Sequence, residues 1–141
     1  MANITKKTLI EELNKDLEWE YAAAIQYVQY AAVMTGPEYD SIIKELVIHA
    51  QEELQHAVNV AEQIAFLGGV PTIDVERIEV SDDSKAMLEQ DLWGEDNAIS
   101  RYKERIAQAE ALGEYGLRRV LEDILMQEEE HKRDIQTALS L

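Results

Sequence analysis

The chain of 141 residues contains no cysteine, two prolines, six glycines and a single phenylalanine. Without cysteine there is no disulfide framework and no thiolate site, so any metal must be held by nitrogen and oxygen. Basic residues are scarce: 13 Lys and Arg stand against 29 Asp and Glu, a net charge of −16. That balance repels a phosphate backbone, and no nucleic-acid partner is expected. Long apolar runs are missing too. The richest stretch, Tyr21 to Met34, is interrupted by Gln26 and Gln29 and falls short of the ~20 residues of a membrane span, so no membrane partner is expected either. Nothing at the start, Met1-Ala2-Asn3-Ile4-Thr5-Lys6-Lys7, leads into the apolar core of a secretory signal, and the chain reads as cytoplasmic. With 46% hydrophobic residues and so few breakers, one compact domain over residues 1–141 is predicted.

The breakers fall at Gly36-Pro37, at Gly68-Gly69-Val70-Pro71 and between Gly113 and Gly116. They leave four long segments, each with apolar residues recurring by threes and fours. The inward seams read Leu13, Leu17, Glu20, Ala24, Tyr27, Ala31; then Ile42, Leu46, His49, Glu53, His56, Val60; then Leu88, Leu92, Glu95, Ile99, Tyr102, Ile106; then Leu117, Leu121, Ile124, Glu128, His131, Ile135. Residues 68–83 lack this period. Ile73, Val75, Ile78 and Val80 alternate there with polar residues and predict an extended connector. Short links make helices one and two, and three and four, antiparallel hairpins, and the connector is long enough to run back along them. The expected fold is all-α: an antiparallel four-helix bundle of two hairpins joined by one long crossover. Pro37 suits the first turn of the second helix, and Ser81 or Asp83 the cap of the third.

The two hairpins repeat one another. The shift that lays Leu13 on Leu88 also lays Asp16 on Asp91, Leu17 on Leu92, Glu20 on Glu95 and Tyr27 on Tyr102. It continues into Leu46 on Leu121, Glu53 on Glu128 and His56 on His131. Four glutamates and two histidines therefore occupy seam positions where a bundle normally places leucine. Buried and uncompensated, those carboxylates would repel one another or take up protons. The i, i+3 spacing within Glu53-Leu54-Gln55-His56 and Glu128-Glu129-Glu130-His131 puts each Glu and His on one helical face. Two divalent cations would neutralise the four carboxylates, and such an oxygen-rich shell suits iron or manganese. No Lys or Arg stands on the seams, so an internal ion-pair network has no evident cations. This arrangement of one Glu from each of two helices and two Glu-x-x-His pairs is that of dinuclear carboxylate bundles.

Over nearly its whole length the sequence resembles the ferritin-like superfamily, bacterioferritins above all. The resemblance rests on Glu20 with Gln26-Tyr27, on Glu53-Leu54-Gln55-His56-Ala57, on Asp91-Leu92-Trp93-Gly94-Glu95, and on Glu128 with His131. It implies a ferritin-like bundle with Glu20 and Glu95 as terminal ligands, Glu53 and Glu128 bridging, and His56 and His131 on one metal each. It further implies two iron ions, with two manganese or a mixed pair as alternatives, and ferroxidase activity that oxidises Fe2+ with oxygen or hydrogen peroxide. Bacterioferritins carry a haem-ligating Met directly after the second-helix Glu; Leu54 stands there, and haem is not expected. Rubrerythrins carry a further Glu three residues after the third-helix ligand, where this chain has Ala98. A dimanganese catalase or rubrerythrin-like peroxidase, and a non-catalytic helical interaction protein, are the alternative readings.

Around the six lie further candidates. Asp16 and Asp91, one turn before Glu20 and Glu95, are placed either to accept the outer ring N–H of a histidine ligand or to face solvent near a helix start. Tyr27 and Tyr102 could hydrogen-bond the glutamates, and Tyr27 could supply an electron as a catalytic residue. His49 has no counterpart in the repeat, where Ile124 stands; it reads as a packed core histidine or a transient iron site. The first helix carries a second apolar stripe, Tyr21, Ile25, Val28 and Ala32, with Ala22, Ala23, Tyr30 and Val33 beside it. That surplus predicts a homodimer or higher oligomer. The sequence ends at Leu141, just past the fourth segment, which favours a dimer over a cage built with a fifth helix.

Overall fold

In the computed structural model, which describes residues 3–140, four long helices account for most of the chain. Met1, Ala2 and Leu141, the ends of the predicted domain, lie outside the described residues. Helix α1 (Lys6–Val33) is capped by Thr5, whose hydroxyl accepts from the amide of Thr8. Gly36, at φ 117°, turns the chain, and Pro37 opens a short 3-10 turn, Pro37–Tyr39. Pro37 thus precedes α2 (Asp40–Phe66) instead of starting it. Helix α3 (Ser84–Ala111) takes its cap from Asp83, which accepts from the amide of Ala86. Gly113, at φ 71°, makes the turn into α4 (Tyr115–Leu139). No helix among the described residues is long and apolar enough to cross a membrane.

The connector follows α1 along its whole length and in the same direction. Asn14 donates to Val70 O and accepts from Thr72 N, Glu76 N bonds Glu18 O, and Gln26 and Tyr30 both donate to Glu79 O. Ser84 then donates to Thr35 O. Helix α3 therefore starts beside the end of α1 and runs back against it, so that every packed pair of neighbours, α1·α2, α1·α3, α2·α4 and α3·α4, is antiparallel. Ile73, Val75 and Val80 stay exposed on this strap, which polar bonds hold to α1.

The α2 and α4 seams are buried throughout. The other two shift. In α3 the inward residues are Met87, Leu88, Asp91, Glu95, Ala98, Tyr102, Arg105 and Ala109, while Leu92, Ile99 and Ile106 lie half-buried at the flank. In α1, Tyr30 is fully buried and not part of the outer stripe, and Ala24 and Ala31 are only half-buried. Apolar cores fill the two ends of the bundle. One is built around Leu9, Leu13, Val60, Ile64, Leu117 and Leu121, the other around Tyr30, Met34, Ile42, Leu46, Leu88 and Ile135. The carboxylates and imidazoles lie in the belt between.

Candidate metal centre

Helix geometry brings Glu20, Glu53, His56, Glu95, Glu128 and His131 into one buried cluster, each at 2% exposure or less. It divides into two overlapping groups. Glu20, Glu53, His56 and Glu128 each offer a ligand atom within 4.8 Å of the others, and Glu53, Glu95, Glu128 and His131 do the same. Glu53 and Glu128 belong to both. His56 Nδ1 faces Glu53 at 3.2 Å, Glu128 at 3.5 Å and Glu20 at 3.6 Å. His131 Nδ1 faces Glu53 and Glu128 at 3.3 Å and Glu95 at 3.6 Å. None of the inward atoms, Glu20 Oε2, Glu53 Oε1, His56 Nδ1, Glu95 Oε2, both Glu128 oxygens and His131 Nδ1, has a hydrogen-bond partner. Orphaned polar atoms converging on one point inside a core need a cation to offset their desolvation.

The outer atoms are held. Tyr27 on α1 donates to Glu95 Oε1 on α3 at 2.8 Å, and Tyr102 on α3 donates to Glu20 Oε1 on α1 at 2.5 Å, so each half's tyrosine serves the other half's glutamate. His56 Nε2 bonds Gln127 Oε1; His131 Nε2 bonds Glu52 Oε1 at 3.1 Å; Gln127 Nε2 donates to Glu52 Oε2 at 2.9 Å. With one ring proton directed outward to these acceptors, it is Nδ1 that faces the cluster and would present a lone pair once its own proton has left.

Two expectations are corrected here. Asp16 and Asp91 do not hold the histidines. Asp16 is fully buried and bound by Arg105, through Nε at 2.7 Å and Nη2 at 3.1 Å, and by Arg101 Nη1 at 2.8 Å. Arg105 is 2% exposed, a buried cation on the α3 seam that the sequence reading did not place, and its partner is an aspartate outside the six-residue cluster. Arg101 also lies 5.5 Å over the ring of Tyr102. Asp91 is buried with neither oxygen partnered, and burial, then Glu95 and Glu53, raise its pKa well above the usual range. The residues that do support the histidines, Glu52 and Gln127, sit immediately before Glu53 and Glu128 and coincide under the repeat.

The electrostatics of the belt follow from burial and crowding. Burial, then Glu128, raises Glu20; burial, then Glu128 and Glu53, raises Glu95 well above its usual value. Burial and Glu53 push Glu128 up to about 8. Burial and Glu20 push Glu53 the same way, but His131, His56 and Glu128 outweigh them and hold it low. Burial alone would lower both histidines; the carboxylates override it, Glu20 and Glu53 taking His56 up to about 12, and Glu128, Glu53 and Glu95 raising His131. Protons therefore occupy the imidazoles until a metal displaces them. His49 goes the opposite way, down to about 4, through burial and the adjacent His131. A cavity of about 320 Å³ between α1, α3 and the connector reaches Glu20, Glu53, Glu95 and Glu128 past Trp19 and Trp93.

The chain is similar to known proteins in sequence and fold. It is 31% identical over 134 residues to a bacterioferritin of Brucella melitensis, spanning 94% of this chain and 83% of that one. Among solved structures it superposes with a TM-score of 0.91 and 35% identity on a ferritin-like, diiron-carboxylate protein from Bacillus anthracis, covering 95% of this chain and 96% of that one. A dodecameric thioferritin described as the bacterioferritin-related protein of Bacteroides fragilis gives a TM-score of 0.90 at 32% identity, covering 97% and 87%. The ferritin-like domain family matches residues 10–141, and the chain belongs to that family.

Proposed function

We propose that the cluster binds a pair of Fe2+ ions as substrate and that the protein is a ferroxidase, oxidising them with oxygen or hydrogen peroxide. In this reading Glu20 and His56 hold one ion, Glu95 and His131 the other, and Glu53 and Glu128 bridge. The observation that carries it is the set of inward atoms without partners, arranged as two four-residue groups that share Glu53 and Glu128. Iron held there supplies the redox chemistry, each Fe2+ losing one electron to the oxidant. The protein's part is placement. Tyr27 and Tyr102 fix Glu95 and Glu20, while Glu52 and Gln127 fix the rings of His131 and His56. The cavity past Trp19 and Trp93 gives a small oxidant a way in. Tyr27 touches Glu95 and stands edge-on to His49 and His131, and we assign it as the side chain that loses one electron and its phenolic proton to hydrogen peroxide or oxygen when fewer than two Fe2+ are present to reduce it.

The test is direct. Metal-free protein given Fe2+ anaerobically should bind two ions per chain at the cluster and consume oxidant on exposure to air. Glu53→Ala and His131→Ala should abolish the loading of the cluster and the oxidation; total uptake of fewer than two ions per chain without oxidation would refute the proposal. The thiolate-free donor set suits manganese equally, so the second reading is a dimanganese catalase, recognised by oxygen evolution from hydrogen peroxide after Mn2+ loading.

Assembly is part of the proposal. Helix α1 leaves Ile25 and Val28 at 47% and 62% exposure, and neighbouring α2 leaves Val47, Leu54 and Val58 exposed at spacings of seven and four. Tyr21 is half-buried and donates to Thr72 O, so the outer stripe is narrower than its sequence suggests. These faces fit a homodimer contact, a building unit compatible with a higher oligomer. Light scattering on the wild type and on an Ile25→Lys, Val28→Lys variant checks this: a wild-type mass of 16.1 kDa would refute it.

A further inference from the structure

One buried titratable side chain has no place in the centre just described. His49 is 1% exposed, its Nδ1 has no hydrogen-bond partner, and its Nε2 meets only Asp134 Oδ2 of α4, at 3.1 Å. Glu45, one turn earlier on α2, completes a trio in which each residue offers a ligand atom within 4.8 Å of the other two. Among the described residues neither Glu45 nor Asp134 is within salt-bridge distance of a Lys or Arg. Both line a cavity of about 450 Å³ that also touches Glu38 and Ser41, so the trio has a route to solvent.

The internal repeat supplies a control. At the equivalent place in the other half stand Val120, Ile124 and Asn59, so the bundle closes at this level with two apolar groups and an amide. The polar trio is an addition at one end only. Its chemistry is one imidazole and two carboxylates converging from two helices, a donor set for a first-row divalent cation with positions left for water. Its location is equally specific: the His49 ring stacks on that of His131 with centroids 4.0 Å apart.

We propose that Glu45, His49 and Asp134 form a third, mononuclear site for a divalent cation. It lies between the solvent cavity and the His131 side of the dinuclear cluster and gives the centre one loading end. That loading role rests on the iron reading above; the cation site itself does not.

The test uses Zn2+ alone, which is not oxidised. Crystals of Zn2+-loaded protein should show three anomalous peaks per chain at the zinc edge, one of them among Glu45, His49 and Asp134, with equilibrium dialysis also counting three ions. Asp134→Asn and Glu45→Gln should each lose that ion and keep the other two. Both positions are partly exposed and both changes preserve shape, so folding is not at stake. Two peaks at the pair and none at His49 would overturn the third site while leaving the proposed function standing. A peak at His49 with none at the pair would uphold the third site and remove that function. A third ion that survives both substitutions would also overturn the proposal.

Discussion

Replacing Asp16 with leucine removes a buried carboxylate held by two arginines. Asp16 is 0% exposed and Arg105 2%, and the two are joined by paired contacts of 2.7 and 3.1 Å, with Arg101 adding a third at 2.8 Å. Asp16→Leu leaves the Arg105 guanidinium buried with Gln108 at 2.8 Å and the rim carboxylate Glu12 at 3.6 Å. Removing one partner of such a pair costs about 3–5 kcal/mol, whereas replacing both with apolar groups is often neutral. For a domain of this size each kcal/mol lowers the melting temperature by about 3 °C, so Asp16→Leu should melt roughly 10–15 °C below the wild type. The Asp16→Leu, Arg105→Met double variant should recover most of that loss. Circular dichroism melts of metal-free protein at one fixed concentration measure both. A single variant within about 2 °C of the wild type, or a double variant as unstable as the single, would refute the reasoning. The effect should reach the centre as well. Arg101, loosened from Asp16, lies over Tyr102, which holds Glu20, and Zn2+ affinity should fall in the single variant.

In the metal-free state the histidines hold protons and burial and crowding raise Glu128 and Glu95 toward holding theirs, so loading at neutral pH should release more than two protons per centre and affinity should rise with pH; a pH-indicator titration in weak buffer reads both. Glu128 is raised to about 8, so the folded state binds its proton more tightly than the unfolded chain does. The resulting stability is full below pH ~4.5 and is lost as pH rises through about 8. Glu128→Gln should therefore flatten the fall in metal-free melting temperature between pH 6 and 8 while preventing metal loading. Tyr27→Phe and Tyr102→Phe each remove a hydrogen bond to a buried carboxylate, worth about 1.5–3 kcal/mol if that carboxylate is charged, and each should weaken metal binding with little change in secondary structure by circular dichroism. Gly69→Ala would set a Cβ 2.5 Å from Ile10 Cγ2 and 3.1 Å from Ile64 Cγ2, an overpacking expected to cost about 1–3 kcal/mol in a denaturant melt.

The sequence shows the α4 seam residue for residue because every apolar member is inward and the only polar ones, Glu128 and His131, stand at matching intervals. In α3 the same reading is displaced. Its inward face carries Asp91, Ala98 and Arg105, and three of its larger hydrophobics, Leu92, Ile99 and Ile106, sit at the flank, so hydrophobicity points beside the true seam. Arg105 could not be seen as buried, since its partner Asp16 lies on another helix and no local spacing links them. Glu52 and Gln127 were within reach: they align under the repeat that aligns Glu53 with Glu128, but a lone Glu or Gln on a helix ordinarily signals solvent. The connector was legible in length and extension. Its docking on α1 was not, because it depends on backbone acceptors at Val70, Thr72 and Glu79, to which side-chain identity gives no clue.

The crossed tyrosines bear on how the helices find their alignment. In an all-leucine interior, sliding one helix along its neighbour by a turn, about 5.4 Å, exchanges one leucine contact for another of similar energy. Between α1 and α3 the two rungs, Tyr27 with Glu95 and Tyr102 with Glu20, point in opposite directions across the same interface. Any axial slip breaks both together and also drags Asp16 away from Arg105. Misaligned bundles would then bury these carboxylates without any of those partners, while the correct one gives each of Glu20, Glu95 and Asp16 a partner across the interface. The polar belt thus acts as a key that fits a single setting, as buried polar residues do when they set the pairing of coiled coils. Part of what the belt costs in stability is recovered as uniqueness of the folded state.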